Sequence, residues 1–192
     1  MIDPLLLRII ALGFALLFLI AAAHKFSNLN HFRMNFEAYK IVPAGLSPLV
    51  TRIIPPLELF LGVGWLVLGL LAIEFELVTF ISVGLLASYA LAIGVNLKRG
   101  RNYIDCGCSF TSGKAEKSDS GAQQISSGLL YRNVLLIVMA LVCMLPASDR
   151  SLQLIDIFSL AFSVVALVLL YGAFNQLLTN RNAINSWRQN NA

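Results

Sequence analysis

Five stretches of this chain are long enough and apolar enough to make lipid their natural solvent. A helix needs about 20 mostly apolar residues to cross about 30 Å of hydrocarbon. Residues 5–23, 53–73, 77–97, 129–146 and 152–178 each read as such a span. The first carries Arg8 near its outer end. The second is entered through Pro55-Pro56 and carries Glu58. The third has no formal charge, the fourth has Arg132 near its start, and the fifth has no charge beyond Asp156. A mid-membrane arginine costs roughly 2.5–3.5 kcal/mol, and each central Leu, Ile or Val returns roughly 0.3–0.6. Arg132 stands close enough to the edge to snorkel, so the run Val134 to Leu145 carries the fourth span. Composition agrees: 58% of residues are hydrophobic, 12% are charged, and the mean hydropathy is +0.78. Soluble domains carry about 25% charged residues, so a soluble or secreted domain is excluded. The expectation is an all-α membrane protein, one integral domain over residues 1–192 built as a bundle of about five transmembrane helices.

Ala21-Ala22-Ala23 resembles a signal-peptide cleavage site. No basic segment precedes the first apolar run, and that run is long for a signal peptide, so it reads as an uncleaved helix.

The connections are unequal. Residues 74–76 and 147–151 read as tight turns, whereas 24–52 and 98–128 are long loops. With five spans, both long loops and the C-terminal tail share one face, the loop face. Residues 111–128 are rich in Ser, Gly, Lys, Glu and Gln and read as a polar linker. The first long loop has its own pattern. Phe26, Leu29, Phe32, Phe36 and Tyr39 recur at spacings of three and four, one apolar stripe of a helix that Pro43 ends. It reads either as an amphipathic helix at the headgroups between spans one and two or as a lid over a site on the loop face.

The most specific chemistry on that face is Asp105-Cys106-Gly107-Cys108, just after the third span. Disulfides favour a Cα separation of about 4.4–6.8 Å, and departures store strain and make the bond easier to reduce. Gly107 lets the backbone bend far enough to bring the two thiols together. A bridge between Cys106 and Cys108 therefore suits exchange rather than stapling. Lys98, Arg99 and Arg101 precede the pair, and cations favour the reactive thiolate, while Asp105 opposes them. Two other readings stand beside dithiol redox chemistry: two ordinary loop cysteines, or a soft-metal site. Zinc pairs are usually spaced wider and need four ligands, and no second cysteine pair exists here; no metal is assigned. Cys143 lies deep in the fourth span, towards the opposite face, and reads as a core residue.

Polar residues gather at the loop-face ends of the spans: His24 and Lys25, Glu58, Asn96, then Arg132 and Asn133. Ionisable residues in a membrane usually face the bundle interior and pair. Glu58 is expected to pair with Lys25 or Arg132. The plainer alternatives are a helix-start acid after prolines for Glu58, snorkelling for Arg132 and an interfacial polar residue for His24.

The pattern resembles the MauE family of methylamine-utilisation membrane proteins, within the wider DoxX-like redox-associated membrane proteins. The matching stretches are His24-Lys25-Phe26 leading to Phe32, Phe36, Tyr39 and Pro43; Pro56-Leu57-Glu58-Leu59 with Gly62; Asn96-Leu97-Lys98-Arg99-Gly100-Arg101; Ile104-Asp105-Cys106-Gly107-Cys108; and Tyr131-Arg132-Asn133. The family box continues Cys-Gly-Cys-Phe-Gly, whereas this chain has Cys108-Ser109-Phe110-Thr111. The resemblance implies a four-helix core with an added C-terminal span, in a bacterial inner membrane. It also implies a role in processing, transport or disulfide formation for the methylamine dehydrogenase small subunit, beside a thioredoxin-like partner. Cys106 and Cys108 would carry the redox step, supported by Asp105, Gly107, Arg101, Arg99, Glu58, Arg132, Lys25 and Asn96. A likeness to quinone-linked thiol oxidases, at the level of fold alone, implies quinone as electron acceptor. A membrane carrier or metal-binding protein, and a scaffold for a thioredoxin-like protein, are the alternatives. Lipid is the one general partner; the basic residues form no patch for nucleic acid.

Twelve of the fourteen Lys and Arg residues fall on the loop face, and only Arg8 and Arg150 on the other. The positive-inside rule then puts the cysteines in the cytoplasm, where thiols stay reduced. The resemblance implies the periplasm, so the two expectations oppose each other.

Overall fold

The computed structural model describes residues 2–43, 45–71, 76–100, 127–146, 148, 150 and 153–190. Among them, helices α1 (Pro4–Ser27), α2 (Leu29–Ala38), α3 (Ser47–Leu71), α4 (Glu76–Lys98), α5 (Ser127–Val142) and α6 (Leu154–Asn190) follow in order. Four of these are long and apolar enough to cross a membrane: α1, α3, α4 and, in α6, the stretch Leu154–Phe174. The chain is a multi-pass helical membrane protein.

Local chemistry sets where each helix begins and ends. The Asp3 carboxylate accepts from the Leu5 amide at 2.8 Å, and Pro4 occupies the first turn, where its missing N–H is no loss. Asn28, at φ −134° and ψ 50°, breaks α1 from α2. The second span corrects an expectation: α3 begins at Ser47, and Pro55 and Pro56 lie inside it rather than at its start. They deprive the Thr51 and Arg52 carbonyls of their amide donors, which membrane helices tolerate when neighbouring groups compensate. Glu58 is consequently about 16 Å along the helix from Ser47, so it is not a first-turn acid.

The fourth span is also shorter than expected. α5 has 16 residues, about 24 Å. Three amides, of Cys143, Met144 and Leu145, then bond three residues back at 3.1 Å each, and this tighter coil carries the chain to Pro146. α6, by contrast, runs past Leu178 to Asn190 because no Gly or Pro interrupts the sequence from Ala173 onwards.

One apolar core joins α1, α3, α4 and α5: Phe14, Phe18, Leu61, Trp65, Leu86 and Ala140 are among its buried residues. Phe14 stacks on Trp65 with ring centroids 4.8 Å apart, and the Trp65 indole donates to Ser82 Oγ at 2.8 Å. Among the described residues α6 adds no buried apolar residue to this core; it packs along α1 and presents a broad apolar surface outward, Phe158, Phe162, Leu169 and Leu170 included. Its start is fixed at the far face, where Arg150 bridges Asp3 and Asp156 at 2.7 Å each. The expected four-helix core with an outer C-terminal span is what forms. α2 packs on α3, with Phe32, Phe36 and Tyr39 half-buried and Phe26, Leu29 and Met34 exposed, so only part of the expected stripe faces the protein. The Arg33 side chain, 2.8 Å from Glu37, holds that carboxyl below its usual pKa, and Ser47 donates to it from α3.

α1 and α3 run antiparallel at very close range. A methyl group at Gly62 would lie 2.9 Å from the Leu19 backbone nitrogen and 2.8 Å from its Cγ. Small residues are what allow membrane helices to approach so closely. Gly62→Ala is expected to destabilise the bundle by about 1–3 kcal/mol, read as a lower melting temperature in detergent. Gly84→Ala, where nothing lies within 4 Å, should leave it unchanged.

Candidate functional site

The core helices α1, α3, α4 and α5 each turn one stripe inward, and polar residues stand in those stripes near the loop-face end. On α1 the stripe runs Phe14, Phe18, Ala22 and Lys25; on α3 it runs Thr51, Glu58, Leu61 and Trp65. Ser82, Tyr89 and Asn96 recur every seven residues on α4, which puts them on one face. Asn133 of α5 is buried as well.

Lys25 and Glu58 meet in the interior. The Lys25 ammonium lies 2.5 Å from Glu58 Oε1, and the two residues are 5% and 1% exposed. Tyr89 donates its hydroxyl to the same carboxylate oxygen at 2.7 Å. The ammonium also faces two rings, Phe32 of α2 at 5.2 Å and Tyr89 at 5.3 Å. The aromatic faces supplement the buried ion pair. The stripe residue Phe32 thus covers the pair from the loop side.

A cavity of about 120 Å³ opens beside this group. Its walls are mostly apolar, from Leu17, Phe18, Leu86 and Leu136, and its polar groups are His24, Lys25, Glu58, Tyr89, Arg132, Asn133 and Tyr171. Arg132 is half-buried; its Nη1 donates to the Tyr171 hydroxyl at 3.3 Å, and its guanidinium lies 5.8 Å from that ring. It turns to the cavity instead of snorkelling away from it.

Of the expected site residues, the structure therefore brings together Lys25, Glu58 and Arg132. Lys25, not Arg132, is the ion-pair partner of Glu58. Asn96 is fully buried but does not line the cavity; its amide donates to Ala92 O, and its Oδ1 has no partner among the described residues. Arg99 is exposed at the end of α4 and donates to Lys40 O at 3.4 Å, while Gly100, at φ +69°, turns the chain out of the helix. Arg101, Asp105, Cys106, Gly107 and Cys108 lie outside the described residues. Cys143 follows α5 and packs against the apolar core. No group of three His, Cys, Asp or Glu side chains comes together for a metal among the described residues. Two polar cavity residues went unremarked in the sequence, Tyr89 and Tyr171. The signal was available for Tyr89, whose seven-residue spacing from Ser82 and Asn96 marks a polar stripe in an otherwise apolar span.

Residues 3–146 match the family model described as Methylamine utilisation protein MauE. The Methylamine utilization protein MauE of Paracoccus denitrificans is 32% identical over 141 residues, covering 73% of this chain and 69% of that protein. Its counterpart in Paracoccus versutus is 30% identical over 148 residues, 76% of this chain and 73% of that protein. The protein of the same name in Methylophilus methylotrophus is 32% identical over 106 residues, 55% of this chain and 54% of its own length. No solved structure matches the chain. The matched range holds the Lys25–Glu58 pair, Tyr89, Arg132 and the Asp105–Cys108 box, whereas α6 with Tyr171 lies beyond it.

Proposed function

Because this chain belongs to the MauE family, we propose that it serves methylamine utilisation as a thiol–disulfide membrane protein, with Cys106 and Cys108 as its exchanging pair. The client is the methylamine dehydrogenase small subunit, whose disulfides it helps to form during maturation, with a thioredoxin-like protein as soluble partner. The observation that carries this reading is the Cys106-Gly107-Cys108 spacing itself. A ring closed over one intervening residue is strained, so it gives up its disulfide readily to an incoming thiolate. Two further features support it. Lys98, Arg99 and Arg101 stand just before the pair and favour thiolate. The Lys25–Glu58–Tyr89 group sits inside the same bundle, near the loop-face ends of its helices.

Asp105, Gly107, Arg99 and Arg101 tune the pair in this reading; Lys25, Glu58 and Arg132 act within the membrane, and Asn96 holds the end of α4. The bacterial inner membrane is the proposed location.

The test is the redox state of the native protein. Membranes from cells grown on methylamine are acid-quenched, alkylated and analysed by mass spectrometry before and after reductant. A Cys106–Cys108 disulfide, two hydrogens lighter than the dithiol and convertible to it, is the expected result. A pair that stays fully reduced under every growth condition would refute the exchange chemistry. The same cells treated with a membrane-impermeant maleimide report the face. Labelling in intact cells places the loop in the periplasm, as the role requires, and protection places it in the cytoplasm, as the charge distribution requires.

A further inference from the structure

We propose that the cavity beside Lys25, Glu58 and Arg132 binds the carboxylate end of a single-chain apolar acid, a free fatty acid by class. Arg132 and Tyr171 donate to the carboxylate, and the chain leaves along the apolar walls into lipid. The inference goes beyond the thiol–disulfide reading and does not depend on it.

The first observation is charge. Among the described residues two cations, Lys25 and Arg132, and one acid, Glu58, line the cavity. Lys25 and Glu58 offset each other at 2.5 Å, and the Glu58 carboxylate accepts from the ammonium and from Tyr89 alike. Arg132 therefore sets the sign of the remaining polar wall. A guanidinium carries five N–H donors in a planar fork that matches a carboxylate, so Arg132 can hold an anion while it donates to Tyr171. The Tyr171 hydroxyl, which accepts that bond, is a donor in its own right. A ketone or an ester would gain hydrogen bonds here without the charge that strengthens them.

Direction is the second observation. The polar and apolar parts of the lining are separated along the helices. On α1 it passes from Leu17 and Phe18 to His24 and Lys25 towards the loop face. α5 starts at the loop face, and there Arg132 and Asn133 come first, with Leu136 about one turn deeper. Tyr171 lies about 26 Å along α6 from Leu154, at that same end. An amphiphile in that leaflet has the same order, with its charged end at the headgroups and its chain inward. Apolar walls with a few convergent polar groups at one end fit such a molecule.

The third observation is size. The cavity volume of about 120 Å³ is somewhat below the roughly 150 Å³ that accepts a benzene ring. That space holds a carboxylate and the first few methylenes of one chain. It is too small for a phosphoglycerol headgroup with the start of two chains. Ile20, Leu136 and Tyr171 on its walls are half-buried, so the cavity is not sealed and the rest of the chain stays in the bilayer. Lipid is as apolar as these walls, so the chain adds little affinity on transfer and the carboxylate contacts carry the recognition.

Full-length protein in dodecyl maltoside, a neutral detergent, is titrated with tritiated palmitate in a scintillation-proximity format. Saturable binding is expected, with Kd raised about tenfold in Arg132→Gln and about threefold in Tyr171→Phe. Tyr171→Phe decides the matter if Arg132→Gln fails to fold, because it removes one oxygen and leaves the charge and the ring in place. Unlabelled palmitate should displace the label, and methyl palmitate, with the same chain and no charge, should not do so at the same concentration. Binding that does not saturate, or a Kd unchanged in every variant that folds, overturns the proposal. So does equal displacement by methyl palmitate, which would show that the chain alone is recognised. Dioleoyl phosphatidylglycerol displacing the label at a lower concentration than palmitate overturns it as well, and would assign the site to the phosphate of a membrane phospholipid.

Discussion

Lys25→Met and Glu58→Leu will each destabilise the bundle by roughly 3–5 kcal/mol, and the double change Lys25→Met/Glu58→Leu will recover most of that loss. The expectation follows from burial. Both residues are almost wholly enclosed, with Oε1 of the acid shared by the ammonium and the Tyr89 hydroxyl. Removing one partner leaves a charge in a medium that cannot solvate it, whereas removing both leaves none. Thermal unfolding in detergent and the steady-state level in the membrane measure the effect. The non-additivity is the diagnostic quantity. If the double variant is as unstable as either single one, the pair is not what holds these helices together. A stable double variant that fails to support methylamine-dependent growth assigns the pair to function. One that grows normally reduces it to packing, because nothing but stability would then have depended on it.

That pair also marks how far the residues alone could be read. Apolar runs near 20 residues are set by the thickness of hydrocarbon, so the spans starting near residues 5, 77 and 152 agree with α1, α4 and α6 within a few residues at their starts. The Lys25–Glu58 contact was legible for a related reason: few ionisable groups enter the membrane, and those that do pair. Proline misled. In water Pro55-Pro56 would mark a helix start, yet in lipid the alternative to a helix is an unsolvated backbone, and α3 continues through both residues. The end of α6 was missed because apolarity, which defines a span, says nothing about where a helix without Gly or Pro stops. Tyr171 was illegible for a further reason. Its contact with Arg132 joins residues 39 apart in sequence across two helices, and no periodicity within α6 announces it.

The other large effect lies with the thiols. Cys106→Ser and Cys108→Ser are each expected to reduce methylamine-dependent growth and accumulation of mature dehydrogenase small subunit to background, while Cys143→Ser leaves both intact. Serine preserves the size and polarity of the side chain but forms no S–S bond, so a role limited to shape or hydrogen bonding would survive it. Cys143 is a fair control because it packs against the apolar core at the far end of α5. The two single variants should differ in one respect. The cysteine that meets the partner first, when its neighbour is Ser, has no resolving thiol and stays joined to that partner as a mixed disulfide. Non-reducing gels of the two variants should therefore show a trapped adduct in one and not in the other, and mass spectrometry of the adduct identifies the soluble partner or client directly. Normal growth and small-subunit levels in the double variant would show that this chain assists methylamine utilisation by some means other than sulfur exchange. Its membrane architecture, held by the close α1–α3 packing and the buried ion pair, is expected to survive that result, since both features join α1 to α3.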